Sequence, residues 1–172
     1  MKKKILVLVC AACGIGKSTL IDYLRDNNLI NGFCAVDTDE VGLNWWDYAD
    51  TDNPDLYTTD SIKEAIKMSK ENHLIFGSCL NPLTLFEKID IPSEVKNIYM
   101  IALTCSPDEI TNRLKTRDPE RMCSDDAFIQ AQINYNDWFL RNANKFQLHI
   151  DNSNKTVQEA ASEVKTFLDM IL

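Results

Sequence analysis

Residues 8–20 read LVCAACGIGKSTL, and two incompatible chemistries lay claim to them. Cys10 and Cys13 form a C-x-x-C, the spacing of redox dithiols and of zinc ligands. Overlapping it is a G-x-x-x-x-G-K-[ST] run, with Ala11 at the first glycine and then Gly14, Gly16, Lys17 and Ser18. The flanks decide between the two. An apolar run, ILVLV (5–9), leads in as a short buried strand, and STLIDYLRDN leads out as a helix. At such a junction glycines turn consecutive backbone N–H groups onto an anion, and the helix N-terminus adds partial positive charge. A lysine then reaches the outer phosphates, and a hydroxyl is offered to Mg²⁺. Ala12, Cys13, Gly14, Ile15, Gly16, Lys17, Ser18 and Thr19 are the residues expected to face the phosphates. Lys17 is expected to act through its charge, outside the core. The dithiol reading leaves Lys17 and Ser18 unexplained, and zinc needs about four ligands where no second close Cys or His pair exists. Cys13 stays a candidate reactive thiol, because a helix N-terminus depresses a thiol pKa.

Working outward, FCAV (33–36), LIF (74–76), IYMIAL (98–103) and QLHI (147–150) read as further short buried strands. Helix patterns separate them. Ser61 with Glu64, Ser106 with Glu109 and Thr156 with Glu159 fit the capping box, Pro107 suits a first helical position, and Ser124 suits a cap. Val157, Ala160, Ala161, Val164, Phe167, Leu168 and Ile171 keep a 3.6-residue period in the last helix. Strands alternating with helices predict a parallel sheet covered on both faces, an α/β fold. NWWDYADTDNPDLYTTD (44–60) has no clear period and reads as a long, aromatic, functional loop.

At 172 residues the chain predicts a single domain, 1–172. A net charge of −8 gives no basic footprint for nucleic acid and no attraction to anionic membranes. Lys2 to Lys4 and Arg113 to Arg121 are local exceptions that need reasons. MKKK is followed by too short an apolar run for a signal peptide, and nothing approaches the ~18 apolar residues of a membrane span. Cys10, Cys34, Cys79 and Cys105 lie in or beside strand-like runs and read as buried free thiols in a reducing, cytoplasmic compartment. His73 and His149 read as core-edge residues.

With these motifs in hand, nearly the whole chain resembles the small P-loop metabolite kinases, the nucleoside and nucleotide kinase-like group with adenylate, gluconate and shikimate kinases. The resemblance implies a P-loop NTPase three-layer sandwich, a five-stranded parallel sheet flanked by helices. It also implies a short lid at roughly 117–124 and a substrate-side loop at roughly 38–60. VDTDE (36–40) is similar to the D-x-D that closes the second strand of shikimate kinases. That similarity implies a magnesium role for Asp37, with Ser18, and a substrate-base role for Asp39. The residues themselves agree on the place, since ligands of parallel sheets lie beyond the carboxyl ends of strands. A solvated turn, or Asp39 as a helix cap, is the plainer alternative. The third strand ends IFGSCLNP without the carboxylate many P-loop enzymes carry there. Arg113 and Arg117, four apart on one helical face, resemble the arginines that enter a lid, one packing on adenine and others contacting phosphate. Arg121 would follow in the lid, and Arg141 on a returning helix. Ion pairs with surface acids are the alternative. In the related kinases the loop matching HIDNSN (149–154) borders the adenine, which points to Asp151–Asn154 and among them Asn152.

The expectation is therefore an ATP- and Mg²⁺-dependent phosphotransferase for a small-molecule acceptor. Lys17, Asp39, Arg113 and Arg117 would serve catalysis, in a monomer or homodimer with no nucleic acid or membrane partner. Trp45, Trp46 and Tyr48 suit a planar ring. Residues 38–95 contain no arginine for an acceptor's own phosphate, so an uncharged, nucleoside-like acceptor is favoured over a nucleotide. The alternative is a non-catalytic or weakly hydrolytic ATP-binding module acting through a protein partner.

Overall fold

The computed structural model describes residues 3–85, 91–118 and 123–172. Its centre is β1 (Lys4–Cys10), apolar on both faces because the sheet is covered on both sides. The pleat sends Val7 and Val9 into one core and Leu6, Leu8 and Cys10 into the other. With β2 (Phe33–Asp37), β3 (His73–Ser78), β4 (Val95–Thr104) and β5 (Leu148–Asp151) it forms a five-stranded, all-parallel sheet in the order β2–β3–β1–β4–β5. This is the α/β P-loop NTPase sandwich that the sequence leads one to expect.

Helix α1 (Lys17–Asp26) lays Leu20, Ile21 and Leu24 on the first core, where α7 (Val157–Ile171) adds Ala161, Val164 and Leu168. Both ends of the α7 capping box are made, by Thr156 and Glu159. Helix α2 (Trp46–Ala49) is a single turn, and α3 (Leu56–Met68) packs Ile62, Ala65 and Ile66 on the second core. A short α4 (Pro82–Leu85) follows β3. Helix α5 (Pro107–Lys115) is capped by the Ser106 hydroxyl with Pro107 at its start, and it buries Ile110 and Leu114. Helix α6 (Asp126–Arg141) adds Phe139 to the second core.

Three local expectations are corrected. Residues 44–60 are not one irregular loop, because α2 and the first turn of α3 lie within them. Ser61 does not start a helix: it is buried inside α3, where its hydroxyl donates to the Tyr57 carbonyl at 2.7 Å. The S-x-x-E spacing also occurs mid-helix, and burial of Thr58 and Thr59 carries the helix further upstream. Asp125, not Ser124, caps α6, its Oδ1 accepting from Ala127 and Phe128 N–H at 2.9 and 3.1 Å. Of the expected lid, residues 119–122, including Arg121, lie outside the described residues. No helix among the described residues is long and apolar enough to cross a membrane.

The N-terminal lysines have structural work. Lys3 Nζ donates to Ser93 O at 3.0 Å, while Lys2 lies outside the described residues. Lys4 is buried, and its Nζ donates to Ser69 Oγ (2.9 Å), Asn72 O (2.8 Å) and Lys70 O. A cation thus ties β1 to the turn that follows α3, between Ser69 and Asn72. Lys4→Met should lower the unfolding free energy by about 1–3 kcal/mol, because the buried Ser69 hydroxyl and two partly buried carbonyls lose a charged donor. Urea unfolding followed by circular dichroism would measure this, and an unchanged midpoint would show the contacts carry no weight.

Candidate functional site

The carboxyl ends of β1, β2 and β3 meet at the loop between β1 and α1. Gly14 and Gly16 have φ of +85° and +100°, values that L side chains rarely adopt. Space excludes side chains as well. A Cβ on Gly14 would stand 2.9 Å from Leu114 Cγ, and one on Gly16 2.9 Å from Asn152 Nδ2. Gly16 begins α1 without a side-chain cap, and no acid stands in the first turn. The first-turn N–H groups are thus left for an anion in the loop. Behind the loop, Arg113 Nη1 and Asn152 Nδ2 both donate to Ile15 O, at 2.8 and 2.7 Å. Cys13 N–H is already engaged, donating to Gln132 Oε1 of α6 at 2.9 Å.

Lys17 corrects an expectation. Its side chain is only 8% exposed and pairs with Asp37, itself 6% exposed, at 2.9 Å to Oδ2 and 3.2 Å to Oδ1. Lys17 therefore has a structural role beside its charge. Burial works against the ammonium, but Cys79 and Asp37 more than offset it, so its pKa stands above the ordinary lysine value.

Asp37 and Asp39 do not lie on one extended run, because Asp37 caps a 3₁₀ turn at Thr38–Glu40. Asp39 N–H donates to Asp37 Oδ1 (3.3 Å), Asp37 N–H to Glu40 Oε2 (2.7 Å), and Thr38 Oγ1 to Gly77 O (2.6 Å). The bend buries Asp37 and leaves Asp39 exposed. It is Asp37, not Asp39, that serves as a cap. The bare end of β3 has a local cause: a Cβ on Gly77 would stand 3.1 Å from both Asp37 Oδ2 and Ile21 Cγ1. The Asp37 carboxylate of the neighbouring strand fills that space.

Two cavities flank the loop. The first, about 310 Å³, is walled by the loop, Thr38, Asp39, Trp45, Tyr57, Cys79, Leu80 and Arg117. The second, about 350 Å³, is walled by Gly16, Thr19, Arg113, Arg117, Asn152 and Lys155, with apolar residues of α1 and α7. Arg117 reaches both and has no carboxylate in ion-pair range among the described residues. Arg113 is braced, with Nε donating to Glu109 (2.8 Å) and Nη2 to Asn152 O (3.3 Å) as well as Nη1 to Ile15 O. Asn152 Oδ1 is buried with no hydrogen-bond partner, and of residues 151–154 only Asn152 lines this second wall. Asp151 instead accepts from the Ser153 N–H and hydroxyl, at 3.0 and 2.6 Å. Arg141 sits exposed in the last turn of α6 and lines neither cavity. The histidines are structural: Ile5 N–H donates to His73 Nδ1 (3.0 Å), and His149 Nε2 meets Thr104 Oγ1 (2.8 Å).

Cys10 is buried at the end of β1 as expected, as is Cys105, while Cys34 is only partly buried. Cys79 is not buried but exposed on the first cavity's wall. A sequence reading centred on the apolar run passes over Cys79, although it directly follows a strand's carboxyl end. Tyr57 was hidden inside the aromatic segment, and nothing local in the sequence marks Gln132 as a support for the loop.

This fold and loop define a P-loop nucleotide-binding domain of the kinase-like architecture. Residues 7–134 match the model of the AAA domain family, and the chain belongs to that family. No curated protein matches the sequence. Solved structures share the fold end to end. A shikimate kinase from Bacteroides thetaiotaomicron is 14% identical with a TM-score of 0.63, covering 96% of this chain and 98% of its own. A gluconokinase from Sinorhizobium meliloti 1021 is 15% identical with a TM-score of 0.55, covering 98% and 93%. The tunicamycin resistance protein of Deinococcus radiodurans is 13% identical with a TM-score of 0.62, covering 97% and 96%.

Gly16→Ala should cost about 1–3 kcal/mol in urea unfolding, from left-handed strain plus the contact with Asn152. Gly42→Ala is the control, because its φ is also positive (+74°) but an added methyl meets nothing within 4 Å. Equal losses at the two sites would remove the role given to the close approach.

Proposed function

We propose that the protein is a phosphotransferase that moves the terminal phosphoryl group of ATP to a hydroxyl of an uncharged, ring-bearing small molecule. One observation carries this reading: Lys17, Ser18, Asp39 and Arg117 all line one cavity beside an uncapped helix N-terminus. Phosphoryl transfer asks a protein chiefly for alignment and charge neutralisation, and these residue types supply both. Lys17 and the first-turn N–H groups of α1 hold the outer phosphates. Arg117, free of a carboxylate partner among the described residues, meets the charge that develops on transfer. Asp39, exposed on the wall, accepts the proton of the attacking hydroxyl.

We assign the nucleotide base to the second cavity, where Arg113 offers a planar face and Asn152 lines the wall. Because Nε and both terminal nitrogens of Arg113 donate within the protein, its part is to brace the loop and line this wall. Magnesium takes one or two carboxylates with phosphate and water. The Ser18 hydroxyl lines the cavity and would serve such an ion, but Asp37 does not fit the expected metal role: it lines neither cavity, and both its oxygens are engaged by Lys17.

Trp45, Tyr57 and Leu80 give the acceptor's side of the cavity an apolar, partly aromatic surface. Lys17 and Arg117 are the only cations among its described wall residues, and the transferred phosphate needs both. That favours an acceptor without a phosphate of its own, such as a nucleoside or another ring-bearing alcohol. The bare end of β3, which on sequence alone favours a non-catalytic module, has its own steric cause at Gly77.

ADP release from Mg-ATP should rise with nucleosides or neutral ring alcohols, and not with nucleoside monophosphates or sugar acids. Asp39→Asn should lower kcat by about a hundredfold or more while leaving the KM for ATP little changed. A flat panel, or full turnover by Asp39→Asn, would contradict the reading.

A further inference from the structure

The first cavity holds a pair of thiols that phosphate chemistry does not use. Cys13 Sγ and Cys79 Sγ lie 3.9 Å apart, in hydrogen-bond contact across the cavity wall. They come from different elements, each held in place. Cys13 belongs to the loop after β1, tied by its N–H to Gln132 on α6. Cys79 directly follows β3, in a turn where Leu80 N–H donates to Ser78 Oγ at 3.2 Å. Cys10 pairs in register with Ser78, and Ala11 N–H donates to Ser78 O at 3.3 Å, so the two strand ends are joined beneath the sulfurs. Cys13 is half of the C-x-x-C in the sequence, yet Cys10 points into the opposite core and is fully buried.

We propose that Cys13 and Cys79 form a reversible disulfide when the protein meets hydrogen peroxide, and that this bond closes the phosphate-facing cavity. Closing from 3.9 Å to a bond of about 2 Å asks for a small approach of two side chains already in contact.

The chemistry of the pair assigns the roles. The hydrogen bond between the two thiols and the positive charge of Lys17 bring the Cys79 thiol down to about 7, against partial desolvation of its sulfur. The Cys13 thiol is pushed up by that same hydrogen bond and by burial. Asp37 and Asp39 act on Cys79 in the opposite sense to Lys17. The Cys79 thiolate attacks the peroxide: an S–O bond forms, the O–O bond breaks, and the leaving hydroxide takes up a proton to become water. Cys79 is then an uncharged sulfenic acid, and the negative charge that held the proton on Cys13 is gone. Cys13 loses its proton and attacks the Cys79 sulfur, forming S–S, breaking S–O and releasing a second water. Two thiols are oxidised, one peroxide is reduced, and an added thiol reverses the result.

The native full-length chain would be treated with hydrogen peroxide, blocked with N-ethylmaleimide and digested with trypsin. In the expected product Cys13 and Cys79 carry no maleimide and together are lighter by two hydrogens. The peptide ending at Lys17 should be joined to the one containing Cys79, with fragmentation placing the bond on Cys13 and dithiothreitol releasing it. Cys10→Ser should keep the bond. Cys13→Ser should lose it and accumulate a Cys79 sulfenic acid trapped by dimedone. A Cys10–Cys13 bond, or maleimide on both Cys13 and Cys79 after peroxide, would overturn the proposal. So would conversion of Cys79 to a sulfinic acid without a cross-link. Closure of the cavity rests on the reading of that cavity as a phosphate site: oxidised protein should bind ATP at least about tenfold more weakly than reduced, a loss near 1.4 kcal/mol. Equal ATP binding by both forms would overturn the closure. ATP binding by neither form, with the cross-link made, would count against the phosphate reading and leave the disulfide standing.

Discussion

The site is organised around a buried ion pair. Lys17 and Asp37 sit where β1, β2 and β3 end, almost wholly removed from water. Taking two such charges out of water is costly unless the geometry is good and hydrogen bonds satisfy what remains. Both oxygens of Asp37 meet Lys17, and Oδ1 also accepts from Asp39 N–H. The constraint spreads outward from there. It favours glycine at 77, where an added Cβ would stand 3.1 Å from Asp37 Oδ2, and it starts the turn that brings Asp39 to the cavity. It also fixes the lysine of the loop at the first turn of α1, so the ammonium is in place before any phosphate arrives.

From that anchor the loop divides the surface in two. On the β2–β3 side lie Asp39 and an apolar wall with aromatic rings, and on the α5–α7 side lie Arg113, Asn152 and Lys155. Gly16 borders both cavities, and its missing Cβ makes room for Asn152. Arg117 is the other residue besides Gly16 shared by both walls. A phosphate chain lying over Gly16 would thus have its base on one side and its acceptor on the other. The thiol pair sits on the Asp39 side, where oxidation would alter the same wall.

Much of this was legible in the sequence because local chemistry reports local structure. The apolar run 5–9, the glycines and Lys17-Ser18 specify a strand, a turn and a helix start, and alternation of such units gives a parallel sheet. What depends on distant packing was not legible. Ser61 carries a capping signature, but the helix is set by the face it buries against β2 and β3. Lys17 reads as a surface charge until Asp37, twenty residues on, is brought against it. The C-x-x-C names Cys10 as the neighbour of Cys13, whereas the strand pairing delivers Cys79. Arg113 has the spacing of a lid arginine, but its guanidinium nitrogens are used to brace the loop.

If the Lys17–Asp37 pair presents a cation to bound phosphate, calorimetric titration with Mg-ATP should read it. Removing one charge would strand the other in the interior, so the informative comparison is with the doubly neutral Lys17→Met/Asp37→Asn chain, its fold verified by circular dichroism. The native chain should bind one ATP, and the neutral pair should bind it at least about tenfold more weakly, a loss of some 1.4 kcal/mol or more. Equal binding by both proteins, or none by the native chain, would contradict it.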